Sequence, residues 1–328
     1  MPLVKVKGLK THFYKGKGIL SKLFGKGLRT VHAVDGISFT IKKRETFALV
    51  GESGCGKSTV GRSLMRLVEP IDGQILFEGK DILNANEREM REFRHEAQII
   101  FQDPRSCLNP RMTAGEIIAE PLRISSSKDT KRENEDEVVM ELLDAVNLSP
   151  EDAYKYPHEF SGGQARRIGV ARAIALNPKF VIADEPTSGL DVSTAATILN
   201  LMQDIQDKFN LTYLWISHNL HVVKHVCDKM AVMYLGKIVE MGKTQDIFSE
   251  TLHPYTRALL SVIPRIDFRS ERKKIILKGE VPSPINPPAG CRFRTRCKYT
   301  LPSCTQEEPE LVDVDGGHFA ACHLLEKS

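Results

Sequence analysis

The sequence predicts an α/β protein in which a parallel sheet carries a phosphate-binding loop, and three observations point there. The segment Gly51-Glu52-Ser53-Gly54-Cys55-Gly56-Lys57-Ser58-Thr59 fits the pattern G-x-x-x-x-G-K-[ST]. It follows the apolar run Thr46-Phe47-Ala48-Leu49-Val50 and precedes a helical pattern over residues 60–68, so a buried strand runs into a glycine loop and then a helix. Further on, Phe180-Val181-Ile182-Ala183-Asp184-Glu185 is a short apolar run ending in two carboxylates, the form of a strand delivering acids to the phosphate end of a parallel sheet.

From the N-terminus, residues 4–13 read as an edge strand, followed by a Gly/Lys-rich stretch over 15–29 and a strand over 37–41. The stretch reads as a surface loop whose Lys15, Lys17, Lys22 and Lys26 are either solvated or turned toward lipid headgroups or a partner. By its place at the end of the first strand, Phe13 is the candidate to stack on adenine, with Tyr14 beside it; an aromatic in a small core is the alternative.

In the glycine loop, Gly51, Gly54 and Gly56 let the backbone turn tightly, so consecutive N–H groups at Ser53, Gly54, Cys55 and Gly56 and the positive helix end point at a polyphosphate. Lys57 reaches the β- and γ-phosphates, Ser58 binds Mg²⁺ through its hydroxyl, and Thr59 adds a donor near the α-phosphate. Asp184 suits a Mg²⁺ partner, directly or through water. Glu185, one residue on, suits a general base for an attacking water. Alone, an Asp-Glu pair after a strand is usually a solvated strand end; beside a phosphate loop it reads as chemistry.

Between residues 103 and 160 the pattern turns helical, with apolar Val138, Val139, Leu142, Leu143 and Val146 within 133–146 and a solvent-facing linker and helix start over 128–137. Phe160-Ser161-Gly162-Gly163-Gln164 then opens a helical stretch over 164–176, so that hydroxyl, backbone N–H groups and helix dipole make a second anion site. If the two anion sites face opposite sides of the domain, a partner chain must complete each ATP site. Strand-helix alternation resumes at Lys179, with a strand over 212–217 and a hairpin-like pair, 230–234 and 238–241, around Gly236.

The 328 residues are 41% hydrophobic with net charge +4 and pI near 8.6, ample for one α/β core with smaller appendages. A charge of +4 with no basic stripe gives no case for nucleic acid. No signal peptide and no eighteen-residue apolar run appear, so membrane attachment is expected to come from other subunits.

These motifs, in this order, resemble the nucleotide-binding subunits of ATP-binding-cassette (ABC) transporters. The resemblance implies a P-loop NTPase nucleotide-binding domain with a RecA-like core, an antiparallel β subdomain and a helical subdomain over about 103–160. It implies ATP and Mg²⁺, and it gives Gln102, in Phe101-Gln102-Asp103-Pro104, the role of sensing Mg²⁺ and water and coupling to a membrane partner. Ser161-Gly162-Gly163-Gln164 matches the family signature, with Phe160 where leucine is commoner and Ala165 where a long polar side chain is expected. Ser188-Gly189-Leu190-Asp191 resembles the loop that crosses a dimer interface, and His218 in Ile216-Ser217-His218-Asn219 the histidine that contacts the γ-phosphate.

His253-Pro254-Tyr255-Thr256 and the Pro/Gly-rich segment over 279–290 resemble the C-terminal extension of oligopeptide and dipeptide permease ATPases, and the insert after the first strand resembles their F-type subunit. The expected division is therefore 1–252 for the nucleotide-binding domain and 253–328 for the extension. In the extension, Cys291, Cys297, Cys304 and Cys322 are four of the chain's seven cysteines. In a reducing cytosol such a cluster suggests metal rather than disulfides, although the spacing C-x5-C-x6-C-x17-C fits neither the common zinc-finger nor the ferredoxin pattern. Four thiolates can hold tetrahedral Zn²⁺ or a four-iron cluster, and reduced structural cysteines are the alternative; the resemblance implies [4Fe-4S]. His318 and His323 are at best spare ligands, His253 reads as structural, and Cys55, Cys107 and Cys227 receive no role.

The expected function is the ATP-hydrolysing subunit of a peptide importer on the cytoplasmic face of the membrane. Its expected partners are a homologous ATPase, two permease subunits and an extracytoplasmic binding protein. The same machine carrying oligosaccharides or nickel is the alternative within the class. A soluble ABC ATPase of DNA repair or translation is the alternative outside it, though such chains usually carry a long coiled-coil insertion or two tandem cassettes. A non-catalytic cassette is disfavoured by the presence of Lys57, Asp184, Glu185 and His218.

Overall fold

Continuous apolar runs without alternation mark strands buried on both faces, and the two runs singled out above behave so. The computed structural model describes residues 1–15, 29–125, 134–263 and 274–325; Lys17, Lys22, Lys26 and residues 128–133 lie outside the described residues. The strands are β1 (Pro2–Lys15), β2 (Arg29–Lys42), β3 (Thr46–Val50), β4 (Asp72–Phe77), β5 (Lys80–Asp81) and β6 (Ala97–Ile100). They continue with β7 (Phe180–Asp184), β8 (Thr212–Ser217), β9 (Lys229–Tyr234), β10 (Lys237–Lys243), β11 (Val312–Asp313) and β12 (Phe319–Ala320). The chain divides into two compact units, one of residues 2–41, 46–83 and 217–328, the other of 42–45 and 84–216 with Met1.

In the first unit β3 is buried at every residue and pairs in parallel with β9, Phe47 opposite Lys229 through Val50 opposite Val232. The order runs β11-β12-β10-β9-β3. The β9–β10 hairpin turns through Leu235 and Gly236, both at positive φ, as a tight two-residue connection requires. Beyond it, β12 pairs antiparallel with β10, Glu240 opposite Ala320, so the C-terminal extension adds two short strands to the sheet edge. Nothing in the local pattern of 312–320 announces them.

The same unit holds an antiparallel sheet in the order β2-β1-β4-β5. The first strand is therefore not an edge strand as expected: β2 lies on one side and β4 on the other, with Val4 opposite Phe77 and Val6 opposite Ile75. A first strand becomes interior once a strand distant in sequence returns to its free side, and Leu3, Val4, Val6, Leu9 and Thr11 are accordingly buried.

In the other unit β6, β7 and β8 run parallel in the order β8-β7-β6, Ala97 opposite Phe180 and Asp184 opposite Ile216. Helices Glu87–Glu96, Ala114–Ser125, Glu135–Ala145, Gly162–Ile174 and Val192–Phe209 surround them in sequence. The apolar stripe expected near 133–146 buries Val139, Leu142, Leu143 and Val146. The long helix Val192–Phe209 stops at Asn210, whose φ of 55° is the left-handed cap that asparagine tolerates.

Candidate functional site

The phosphate loop lies in the first unit, between β3 and the helix Lys57–Leu64. Two glycines are dictated by close approach as well as by conformation. Gly51 has φ 153° and a Cβ there would stand 2.2 Å from the Met233 carbonyl oxygen. Gly56 has φ 111° and its Cβ would stand 2.1 Å from the Ala33 carbonyl oxygen. Lys57 is 5% exposed, and its ammonium donates to the carbonyls of Gly51 at 2.8 Å and Glu52 at 3.0 Å. Cys55 is buried behind the loop, and burial raises its thiol pKa. His218 is exposed on the loop before helix Leu220–Val226, whose first N–H groups Asn219 caps. Phe13 and Tyr14 stand exposed near the end of β1.

The carboxylate residues lie in the other unit with Gln102, the signature and Asp191. Asp184 closes β7 and is 3% exposed. Glu185 follows at φ 49°, an uncommon conformation for a residue with a Cβ and one that costs energy unless its surroundings impose it. Those surroundings are visible. The Glu185 N–H donates to the Ile216 carbonyl at 2.9 Å, and Gln102 Nε2 donates to Glu185 Oε2 at 2.8 Å.

Arg166, which the motif reading passed over, joins this group from the signature helix. It is 3% exposed, and its guanidinium donates to the carbonyls of Gln102 at 2.8 Å, Glu185 at 3.3 Å and Ser188 at 3.0 Å. One side chain therefore ties the glutamine loop, the acidic strand end and the loop leading to Asp191. Burial pulls its pKa down, with the nearby Asp103 charge opposing.

Ser161 caps helix Gly162–Ile174. Its Oγ accepts the Gln164 N–H at 3.2 Å while Gln164 Oε1 accepts the Ser161 N–H at 3.0 Å, a reciprocal capping box. Ala165, where a longer side chain was expected, is fully buried, which a long polar group would not tolerate without a partner. Gly163 has no room for a side chain, since a Cβ there would stand 2.7 Å from Thr194 Cγ2. Asp191 in turn caps helix Val192–Phe209 by accepting from Thr194 N–H at 2.9 Å and from the Ser193 and Thr194 hydroxyls, and those three donors hold its carboxyl well below the usual range.

The four C-terminal thiols, again in the first unit, lie near enough for Cys297, Cys304 and Cys322 each to act on Cys291 electrostatically. Burial pushes Cys291 up to about 11, with the other three thiols adding to the shift, and burial likewise raises Cys297 and Cys322. Each sulfur accepts a backbone N–H: Phe293 donates to Cys291, Tyr299 to Cys297 at 3.4 Å, Leu301 to Cys304 at 3.4 Å and Leu324 to Cys322. His318 and His323 are committed elsewhere, His318 Nε2 to Glu240 at 2.9 Å and His323 Nε2 to the Glu307 carbonyl at 3.1 Å. His253 is structural: it is fully buried, and its Nδ1 accepts the Tyr255 N–H at the start of helix Pro254–Ser261.

The ABC transporter family profile matches residues 34–188, and that of the oligopeptide/dipeptide transporter C-terminal region matches residues 239–304. The oligopeptide transport ATP-binding protein AppF of Bacillus subtilis (strain 168) is 52% identical over 309 residues, 93% of each chain. A second chain of that organism, YkfD, is 50% identical over 326 residues, 99% of this chain and 96% of its own. Among solved structures, the post-hydrolysis dimer of the ATP-binding cassette MJ0796, bound to ADP and Pi, aligns at TM-score 0.64 and 25% identity, covering 74% of this chain and 98% of that one. Half of all residues shared along almost the full length of both chains, over a phosphate loop and signature of the form built here, means that the protein belongs to the ABC transporter family, among its ATP-binding subunits.

Proposed function

We propose that this chain hydrolyses ATP to drive import of di- and oligopeptides across the cytoplasmic membrane, as a peripheral subunit on its cytoplasmic face. The observation that carries hydrolysis is the Gln102–Glu185 hydrogen bond on a glutamate held at a strained φ. The cargo reading is supported by the matched C-terminal region and by the relatives' names. Those names speak of peptides, so oligosaccharides or nickel, the alternative cargo for the same engine, are not favoured.

In this reading the backbone of Gly51, Ser53, Gly54, Cys55 and Gly56, with Lys57 and Thr59, binds the phosphates of ATP, and Phe13 stacks on adenine. Ser58, Gln102 and Asp184 supply hydroxyl, carboxamide and carboxylate oxygens, the hard donor set that suits Mg²⁺; the ion, when bound, neutralises phosphate charge. Glu185 takes the proton of the attacking water as its oxygen bonds the γ-phosphorus and the bond to ADP breaks. Gln102 orients that carboxylate through Oε2, and His218 contacts the γ-phosphate. Ser161, Gly162, Gly163 and Gln164 serve an ATP held by a homologous second ATPase, with Asp191 at that interface, so ATP closes the pair and hydrolysis reopens it.

The remaining partners are two permease subunits and an extracytoplasmic binding protein. No helix among the described residues is long and apolar enough to cross a membrane. A cavity of about 1000 Å³ beside the glutamine loop, lined by Phe101, Pro104, Leu108, Pro121, Ile124 and Arg172, supports docking of a permease helix there. In the assembled complex, Glu185→Gln should keep ATP binding while turnover falls by roughly two or more orders of magnitude, the scale of a general base. Unchanged hydrolysis would remove Glu185 from the chemistry, and stimulation by an oligosaccharide or nickel instead of peptide would reassign the cargo.

The extension carries a second reading, a [4Fe-4S] knot on Cys291, Cys297, Cys304 and Cys322. Backbone N–H···S bonds surround the four sulfurs, the surroundings that thiolate ligands of a cluster use, and burial that raises Cys291, Cys297 and Cys322 as free thiols is offset when a cation binds the thiolates. Among the described residues no three of the sulfurs lie within 4.8 Å of one another. A tetrahedral zinc site with bonds near 2.3 Å has sulfur–sulfur edges of roughly 3.8 Å, so the spread favours the larger cluster over Zn²⁺. Protein prepared without oxygen should be brown with about four irons per chain. Stoichiometric zinc would change the metal, and no metal would end the proposal.

A further inference from the structure

The C-terminal extension reaches the phosphate loop at Glu52, which is gripped at three points. Its N–H donates to Tyr255 Oη at 2.9 Å, and its carbonyl accepts from Lys57 Nζ at 3.0 Å. Its carboxylate is held by both arms of Arg296, Nη1 to Oε2 at 2.7 Å and Nη2 to Oε1 at 3.2 Å. The pair is sheltered, with the arginine side chain 8% and the glutamate side chain 28% exposed. A paired fork of this kind fixes orientation as well as charge.

Arg296 is itself held by a short rigid segment between Cys291 and Cys297. Its guanidinium lies 6.0 Å from the centre of the Tyr234 ring. Three residues back, Phe293 is 2% exposed and packs against the rings of Tyr234, Tyr255 and His253 at 5.3, 5.4 and 5.6 Å. On the same segment Arg292 donates to the Leu235 carbonyl at 2.6 Å and pairs with Asp35. The backbone closes on itself, Arg294 N–H to the Cys291 carbonyl at 3.1 Å and Arg296 N–H to the Phe293 carbonyl at 2.9 Å. The guanidinium is thus delivered preorganised to the loop.

We propose that Arg296 is a positioning residue for ATP, one that orients Glu52 and neutralises its carboxylate so that the phosphate loop accepts a polyphosphate. The physical case is one of sign. A glycine loop that aims N–H dipoles at an anion also carries a glutamate in its second position, and an unpaired carboxylate there repels the ligand the dipoles attract. Arg296 removes that repulsion while fixing the side chain of Glu52, a residue whose peptide N–H is held by Tyr255 and whose carbonyl is one of two that bind Lys57. This inference rests on the reading that the loop binds ATP.

The test is MgATP affinity of the full-length chain by isothermal titration calorimetry, with thermal unfolding recorded for each variant. Arg296→Ala should raise Kd about three- to thirtyfold, the range for a residue coupled to a site it does not touch. Adding Glu52→Gln to Arg296→Ala should bring Kd back to within about threefold of the parent, because the unpaired charge is gone; a merely structural arginine would not be rescued so. Arg296→Lys, which keeps the charge and loses the fork, should fall between. A Kd within about twofold of the parent for Arg296→Ala, or no recovery on removing the Glu52 charge in a protein that melts normally, overturns the proposal. Should Arg296→Ala fail to fold, Arg296→Lys paired with Glu52→Gln puts the same question. A parent chain that binds no MgATP, with Lys57→Ala indistinguishable from it, would refute the ATP reading instead.

Discussion

Arg166 offers the sharpest test of how the unit that carries Gln102 and Glu185 is held together. Replacing it with Met keeps the aliphatic stem and removes a guanidinium that serves three backbone carbonyls from a 3%-exposed position. Two terms oppose. Losing a buried charge relieves a desolvation cost, the same burial that lowers its pKa. Against that, the carbonyls of Gln102, Glu185 and Ser188 lose donors worth about 1–3 kcal/mol each when left unmet. Three acceptors outweigh one charge whose Nε already lacks a partner, so the expected net loss is on the order of 2–4 kcal/mol. At roughly 3 °C per kcal/mol for a unit of this size, the unfolding midpoint should fall by about 6–12 °C. Differential scanning calorimetry reads the midpoint, and ATP titration should show affinity less affected than turnover, since Arg166 touches the backbone of Gln102 and Glu185 and not the phosphate loop. A midpoint within about 2 °C of the parent, with turnover intact, would refute this reasoning.

Two further outcomes follow from the geometry. Ser161→Arg should leave this chain's own ATP binding intact while blocking closure of the ATP-bound pair in size-exclusion measurements, and loss of ATP binding by the isolated subunit would misplace the signature. His253 titrates low in the folded chain, pushed down to about 4 by burial with Glu240 opposing. The unfolded state therefore binds the extra proton, and stability is full above about pH 6.5, declines as pH falls toward 4 and is flat below, by on the order of 3 kcal/mol in all. His253→Gln should flatten that acid limb in urea unfolding followed from pH 7 to 4; an unchanged limb would mean that other groups carry it.

What the sequence reveals here is chemistry that is local along the chain. The phosphate loop is nine consecutive residues flanked by a strand and a helix, and each flank is present. Ser161 and Gln164 stand three apart with hydroxyl and carboxamide, which is a capping box in sequence before it is one in space. The long apolar strands are legible for the same reason, since burial on both faces needs no partner to be named. What escapes is contact between distant segments. The misassigned edge strand β1 depends on β4 returning beside it. The strands β11 and β12 are two residues each and borrow their pairing from β10, so no periodicity marks them.

The supports of the site belong to this second class. Arg296 meets Glu52 across 244 residues and Arg166 meets Gln102 across 64, and neither arginine stands out in composition from the other cations of the chain. The case of Glu185 shows why the distinction matters. Its identity and its place after β7 mark it as a candidate base, yet the φ of 49° that aims it is not encoded by Asp-Glu-Pro alone. That conformation persists because Ile216 accepts its N–H, Gln102 holds its carboxylate and Arg166 holds its carbonyl. Three segments distant in sequence thus hold one local strain in place, and the candidate base is positioned by Gln102, Ile216 and Arg166, whose convergence on it no single motif announces.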